Sequence, residues 1–191
     1  MNICDKLETS LGVRFNNRLQ GLVSEHIRIQ NFGVNTIILN EGQNSNNIYL
    51  ILHGIVRGFY LDQNGNDVTK CFAIENEFFC TESFRTGKPS TFFIECLENC
   101  TCVEIPNFLI RQVMKQDGKL SISIGRLFEY EVNKLEYRNR NILMLSAEER
   151  YLSFCENYPQ LKSRIPLKYI ASYIAVRPET LSRIRKKLKL V

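Results

Sequence analysis

From about Val34 to Ile105 the apolar residues come in short runs, TIIL, IYLIL, IVRGFYL and VTKCFAI, separated by EGQNSNN, HG and DQNGND. Runs of this length, rich in β-branched and aromatic residues and bounded by turn formers, predict strands. The Asn-Gly pair within DQNGND predicts a tight hairpin of type I′, whose two central residues both take positive φ. Strands so closely spaced predict a compact antiparallel barrel or double-sheet roll.

After Pro106 the period changes. From about Leu120 to Leu145 there is no proline and one glycine, Gly125, while Phe128, Leu135 and Ile142 recur every seven residues with Val132 between them. This pattern predicts a long helix with a narrow apolar seam, interrupted at Asn139. The seam can be buried against the chain's own strands or against a second copy; about 25 residues of helix exceed what one small domain ordinarily needs and favour a homodimer. Ser146 to Glu149, SAEE, then predicts a capping box, in which the serine side chain accepts from the amide three residues on and the glutamate returns the bond. A helix through Tyr151, Phe154 and Cys155 starts there and stops before Pro159.

Two more helices fit the rest. Leu167, Ile170, Ala171 and Ile174 make one apolar face behind Pro166; Leu181, Ile184 and Leu188 make another behind Pro178. Only Ala175 to Arg177 separate them, the length of a helix-turn-helix connection.

Charge sharpens this picture. The net charge of +5 conceals a segregation: Lys162 to Val191 hold nine basic residues and one acid, a net of +8, and residues 1–161 carry −3. A basic terminal module suggests an anionic partner, nucleic acid ahead of membrane. If the two apolar stripes bury each other, Glu179, Ser182, Arg183 and Lys186 share the outward face of the last helix. Glutamate accepts from cytosine N4, arginine donates twice to guanine O6 and N7, and serine does either, which are the chemistries the major groove asks for. Lys168, Arg177, Thr180, Arg185, Lys186 and Lys187 suit phosphates.

Other function classes are disfavoured. No basic, apolar and small-residue leader stands at the N-terminus, and no apolar run approaches the roughly 18 residues that span a bilayer, so a cytoplasmic protein without membrane contact is expected. Seven cysteines, odd in number and irregularly spaced, argue against a disulfide framework. Cys96, Cys100 and Cys102 fit no standard zinc spacing, although the last two would share a strand face; small buried hydrophobes are the favoured reading over a thiol or metal sensor. With two histidines, neither in a ligand cluster, a metal enzyme is hard to build, and neither a metal nor a cofactor is expected.

IPLKYIASYIAVRPETLSRIRKKL resembles the helix-turn-helix of the Crp/Fnr superfamily of bacterial transcription regulators, its ETLSR core being similar to the branch typified by the anaerobic regulator Fnr. Upstream, IYLILHGIVRGFYLDQNGNDVTKCFAIENEFF is similar to that family's cyclic-nucleotide-binding-type β-roll, and the long helix with SAEERYLSF resembles its dimerisation helix and the entry to its DNA-binding domain. The resemblance runs over about residues 25 to 188. It implies an α+β chain in three parts: an N-terminal antiparallel double-stranded β-roll with leading helices (1–118), a dimerisation helix seamed by Phe128, Val132, Leu135 and Ile142 (119–145), and a helix-turn-helix domain (146–191). It further implies a homodimer on a palindromic DNA operator, RNA polymerase as a further partner, and base reading by Glu179, Ser182 and Arg183. Pro178 stands where the cyclic-AMP receptor branch has an extra arginine, so the expected half-site is nearer TTGA than TGTGA.

Two departures concern the turn: Ala175 replaces a frequent glycine, costing about 1 kcal/mol if positive φ is needed, and Arg177 occupies the N-cap, where serine or threonine is preferred. A third concerns the effector. Family members that bind cyclic AMP carry a Gly-Glu pair and an Arg-Ser pair for ribose and phosphate; Cys80 and Thr81, and then Ser90 and Thr91, stand in those places. Glu82 and Arg85 lie nearby and complete the candidate effector pocket. A buried phosphate without a cation is costly, so the expected effector is one other than cyclic AMP, or none. The rival reading is a small-molecule or thiol-redox sensor whose basic end contacts a protein.

Overall fold

The computed structural model describes residues 2–81 and 83–189, the Arg85 side chain excepted. Helices α1 (Ile3–Leu11) and α2 (Asn17–His26) lead into strands β1 (Arg28–Phe32), β2 (Ile37–Leu39), β3 (Asn47–His53), β4 (Val56–Leu61), β5 (Asp67–Ala73), β6 (Phe78–Phe79), β7 (Phe93–Cys96) and β8 (Cys100–Pro106), with the single-turn α3 (Ser83–Thr86) between β6 and β7. Then follow α4 (Asn107–Gln116), α5 (Gly118–Met144), α6 (Ala147–Asn157), α7 (Leu167–Tyr173) and α8 (Pro178–Lys187). The strands form two four-stranded sheets, in the orders β1-β8-β3-β6 and β2-β7-β4-β5. This is the α+β architecture expected. Among the described residues no helix is long and apolar enough to cross a membrane.

Two compact units divide the chain, residues 1–58 with 72–131 and residues 59–71 with 132–191. The division falls inside α5 rather than at its ends, and the β4–β5 hairpin goes with the helix-turn-helix. In the first unit, β3 and β8 are apolar on both faces. Ile48, Leu50, Val103 and Ile105 pack with Leu7 and Val23 of α1 and α2, Leu109 and Ile110 of α4, and Ile124 of α5. The alternate residues Ile51, Cys100 and Cys102 pack with Val56, Phe79, Phe92, Ile94 and Cys96. Period-2 alternation between two buried faces is why IYLIL reads as an unbroken apolar run. Cys100 and Cys102 share one face, as expected, and with Cys96 are at most 2% exposed. Gly54 between β3 and β4 has φ of 100°, and a Cβ there would meet Asn99 O and Cys100 Sγ at 2.7 Å, so the HG turn requires its glycine.

The predicted hairpin joins β4 to β5, but its turn is not of type I′. Gly65 takes positive φ (78°) and Asn64 does not. The Asp62 carboxylate accepts from the amides of Asn64 (2.8 Å) and Asn66 (2.9 Å), and Gly65 N donates to Asp62 O at 3.0 Å. An Asx turn at Asp62 satisfies the loop amides, so one glycine in the left-handed region is enough.

The second unit is cored by Tyr151, Phe154, Leu161, Ile170, Ala171, Ile174, Leu181 and Ile184, all buried. Ser146 forms the predicted capping box with Glu149, donor and acceptor both in place. α6 also bonds to α5: the Ser153 hydroxyl lies 3.1 Å from Tyr137 Oη and accepts from Asn141 Nδ2 at 3.0 Å.

Candidate DNA interface

α7 and α8 form the two-helix element predicted, with Ile170, Ala171 and Ile174 packed toward Leu181 and Ile184. The connection turns at Ala175, whose φ is 54°. The chain therefore does place a Cβ in the left-handed region. α8 begins with Pro178 at its first position, and its N-cap, Arg177, makes no side-chain capping bond. Pro178 has no N–H and the Thr180 amide donates to Arg177 O at 3.0 Å, which leaves the Glu179 amide to face an external acceptor, and at a helix N-terminus that suits a phosphate oxygen.

Opposite the buried stripe, Glu179, Ser182, Arg183 and Lys186 are all exposed on α8. The Arg183 guanidinium donates to Thr180 Oγ1 at 3.4 Å, a long bond that leaves the fork available. Lys168 is exposed beside the Tyr169 ring, 4.7 Å from its centroid. Two of the basic residues are engaged within the chain. Lys187 pairs with Glu148 of α6 at 2.5 Å. Arg185 is half-buried and lies beside the buried hydroxyl of Tyr151, which burial pushes up to about 12.

In the roll, the expected effector residues divide. Ser90 and Thr81 are buried, and both hydroxyls turn to nearby backbone: Ser90 Oγ donates to Phe92 O at 2.7 Å and Thr81 Oγ1 accepts from Ser83 N at 3.3 Å. Cys80 is half-buried and packs at the edge of the apolar cluster around Leu50, while Thr91 is exposed. Glu82 and the side chain of Arg85 lie outside the described residues. Among the described residues, a buried cation of this region is Arg57 on β4, 1% exposed, with Nε 2.6 Å from Glu95 Oε1 on the neighbouring β7. Sequence reasoning passed over this pair, although a charge inside each of two apolar strands, IVRGF and FIEC, was its signal. Among the described residues no three His, Cys, Asp or Glu side chains are grouped to hold a metal.

The expected seam on α5 is likewise divided. Phe128 stacks on Phe84 of the same chain with centroids 5.2 Å apart, whereas Val132 and Leu135 are exposed and Ile142 is half-buried. The first contact packs α5 on α3 of its own chain, and the exposed pair leaves apolar surface on the helix.

Residues 29–117 match the cyclic nucleotide-binding domain. The fold is similar to that of FixK2 from Bradyrhizobium japonicum, at a TM-score of 0.78 over 86% of this chain and 85% of that one, with 16% identity. The chain has the fold of the Crp/Fnr regulators. A Crp/Fnr-family transcriptional regulator of Thermus thermophilus gives a TM-score of 0.67, 17% identical over 85% of this chain and 86% of that one. CLP, a c-di-GMP responsive global regulator of Xanthomonas campestris, gives 0.71, 12% identical over 97% and 91%. In sequence, the chain is 22% identical over 159 residues to the anaerobic regulatory protein of Haemophilus influenzae, covering 78% of this chain and 62% of that relative. It therefore spans less than two thirds of the curated relative's length.

Proposed function

We propose that this protein is a cytoplasmic transcription regulator rather than an enzyme, binding a palindromic DNA operator as a homodimer. One observation carries the reading: an exposed row of Glu179, Ser182, Arg183 and Lys186 on a helix whose opposite face is buried, in a segment with a net charge of +8. Glu179, Ser182 and Arg183 read base edges in the major groove; Lys168, Arg177, Thr180 and Lys186 hold phosphates, with the Glu179 amide at the start of α8 assisting. Lys187 and Arg185 join them by exchanging or extending beyond their present neighbours. Val132 and Leu135, with Ile142, supply the apolar strip for a second copy, and two-fold symmetry then presents the reading helices about 34 Å apart. RNA polymerase is the further partner such a regulator needs.

Cyclic AMP is not the effector. A cyclic phosphate needs an available cation, and Glu95 already balances Arg57, while the hydroxyls of Thr81 and Ser90 bond to backbone. That the Xanthomonas relative answers to a different nucleotide supports a fold able to serve other effectors.

Selection of duplexes from a random pool by the full chain tests the reading. Inverted repeats with TTGA-like half-sites are expected; enriched sequences without any palindromic half-site overturn it. Fluorescence anisotropy with random duplex at two salt concentrations separates the rival sensor that acts through protein contacts, for which binding shows no salt dependence.

A further inference from the structure

β5 is the outer strand of its sheet, and an outer strand leaves a row of backbone donors and acceptors in need of partners. Thr69, in the middle of β5, is fully buried. Its amide donates to Ser172 Oγ at 2.8 Å, and its carbonyl accepts from Arg138 Nη2 at 3.0 Å. The same guanidinium donates through Nε to Tyr173 O at 2.9 Å and lies over the Tyr173 ring, 4.7 Å from its centroid. That ring also meets Phe154 and Tyr158 of the second unit, at 5.6 and 5.8 Å between centroids. All of these residues belong to one compact unit, in which the hairpin 59–71 is grouped with 132–191.

One arginine of α5 thus ties three segments together: its own helix, the edge of the hairpin, and the end of α7. Ser172 and Tyr173 stand just before Ala175, so pinning them sets the direction in which α7 enters the turn and α8 leaves it. An arginine is suited to this because its planar fork reaches two carbonyls while its face stacks on an aromatic ring.

We infer that Arg138 is a positioning residue for DNA recognition: through Thr69 and Tyr173 it makes the β4–β5 hairpin a structural part of the DNA-reading unit and holds α8 in its reading pose. The inference rests on the regulator reading above. It assigns to the hairpin a role in operator affinity without any contact between hairpin and DNA. Base-edge bonds demand correct orientation, whereas phosphate attraction tolerates misalignment, so losing the clamp weakens specific binding and spares nonspecific binding.

The test uses the full chain, a duplex with inverted TTGA half-sites, a scrambled duplex, and the variants Arg138→Ala, Arg138→Lys and Ser172→Ala. Arg138→Ala and Ser172→Ala are expected to bind the TTGA duplex about ten-fold more weakly, the size of one or two lost hydrogen bonds. Affinity for the scrambled duplex and its salt slope stay unchanged, and Arg138→Lys falls between. Amide exchange accelerates across 59–71 and α7 in the alanine variants. Ser172→Ala removes a single acceptor, so the experiment stays decisive if Arg138→Ala fails to fold. Folded variants that bind the TTGA duplex as tightly as the wild type overturn the positioning role and leave the regulator reading intact. Equal weakening on both duplexes also overturns it. If the wild type distinguishes neither this duplex nor any palindrome recovered from the random pool from the scrambled one, the regulator reading falls and this inference with it.

Discussion

The guanidinium of Arg57 and the carboxylate of Glu95 meet at 2.6 Å across neighbouring strands of the roll, the arginine 1% and the glutamate 12% exposed. An ion pair this enclosed contributes little net stability against an apolar pair of the same volume, but removing the Glu95 carboxylate takes compensation from a buried charge.

Glu95→Ala is therefore expected to cost about 3 kcal/mol or more in denaturant unfolding, and the double variant Arg57→Met with Glu95→Leu to recover most of it. Equal losses in the single and double variants would show that the ionic character of the pair is not what the substitution at Glu95 disturbs.

With Arg57 balanced by Glu95 and the Thr81 and Ser90 hydroxyls bonded to backbone, the roll is expected to give no saturable heat with cyclic AMP in calorimetry on the full chain. Tight binding at one site per chain would sink this expectation.

Arg183→Ala is expected to cost about 1–3 kcal/mol of operator affinity and to relax discrimination at one base position, whereas Lys186→Ala weakens all duplexes alike and lowers the salt slope by about 1. Uniform weakening by both would remove Arg183 from the base-reading set.

Ala175 sits at φ 54° in the connection between α7 and α8. Ala175→Gly relieves the left-handed strain and is expected to raise stability by about 1 kcal/mol, read as a higher unfolding midpoint. A lower midpoint would mean that the entropy of the unfolded glycine outweighs the relief.

The bonds from the Ser146 hydroxyl and amide hold the Glu149 carboxyl below the usual range for a glutamate. A group whose folded value is lowered stabilises fully above its unfolded value and loses that contribution as pH falls through the folded one. Ser146→Ala is thus expected to lower the midpoint at neutral pH, with the difference from wild type shrinking under acid conditions. A difference that does not change with pH would leave only the bond to the Glu149 amide as the cap.

Local physics determined much of this protein. Pro178, the Leu181 and Ile184 stripe and the exposed Glu179, Ser182 and Arg183 were legible because helical period and first-turn chemistry act over four residues, and SAEE specified its own cap. The hairpin was legible, its turn less so, because Asp62 competes for the loop amides through a side chain whose conformation composition does not reveal. Long-range pairings belonged to the tertiary structure alone. Nothing in IVRGF names Glu95 as the partner of Arg57, and nothing in the heptads says that Phe128 stacks on Phe84 while Val132 and Leu135 stay exposed. Nothing in the helical pattern marks Arg138; only folding brings it to the carbonyls of Thr69 and Tyr173, residues far apart in the chain. Such bonds are chosen by which buried backbone groups still lack partners once the elements have packed.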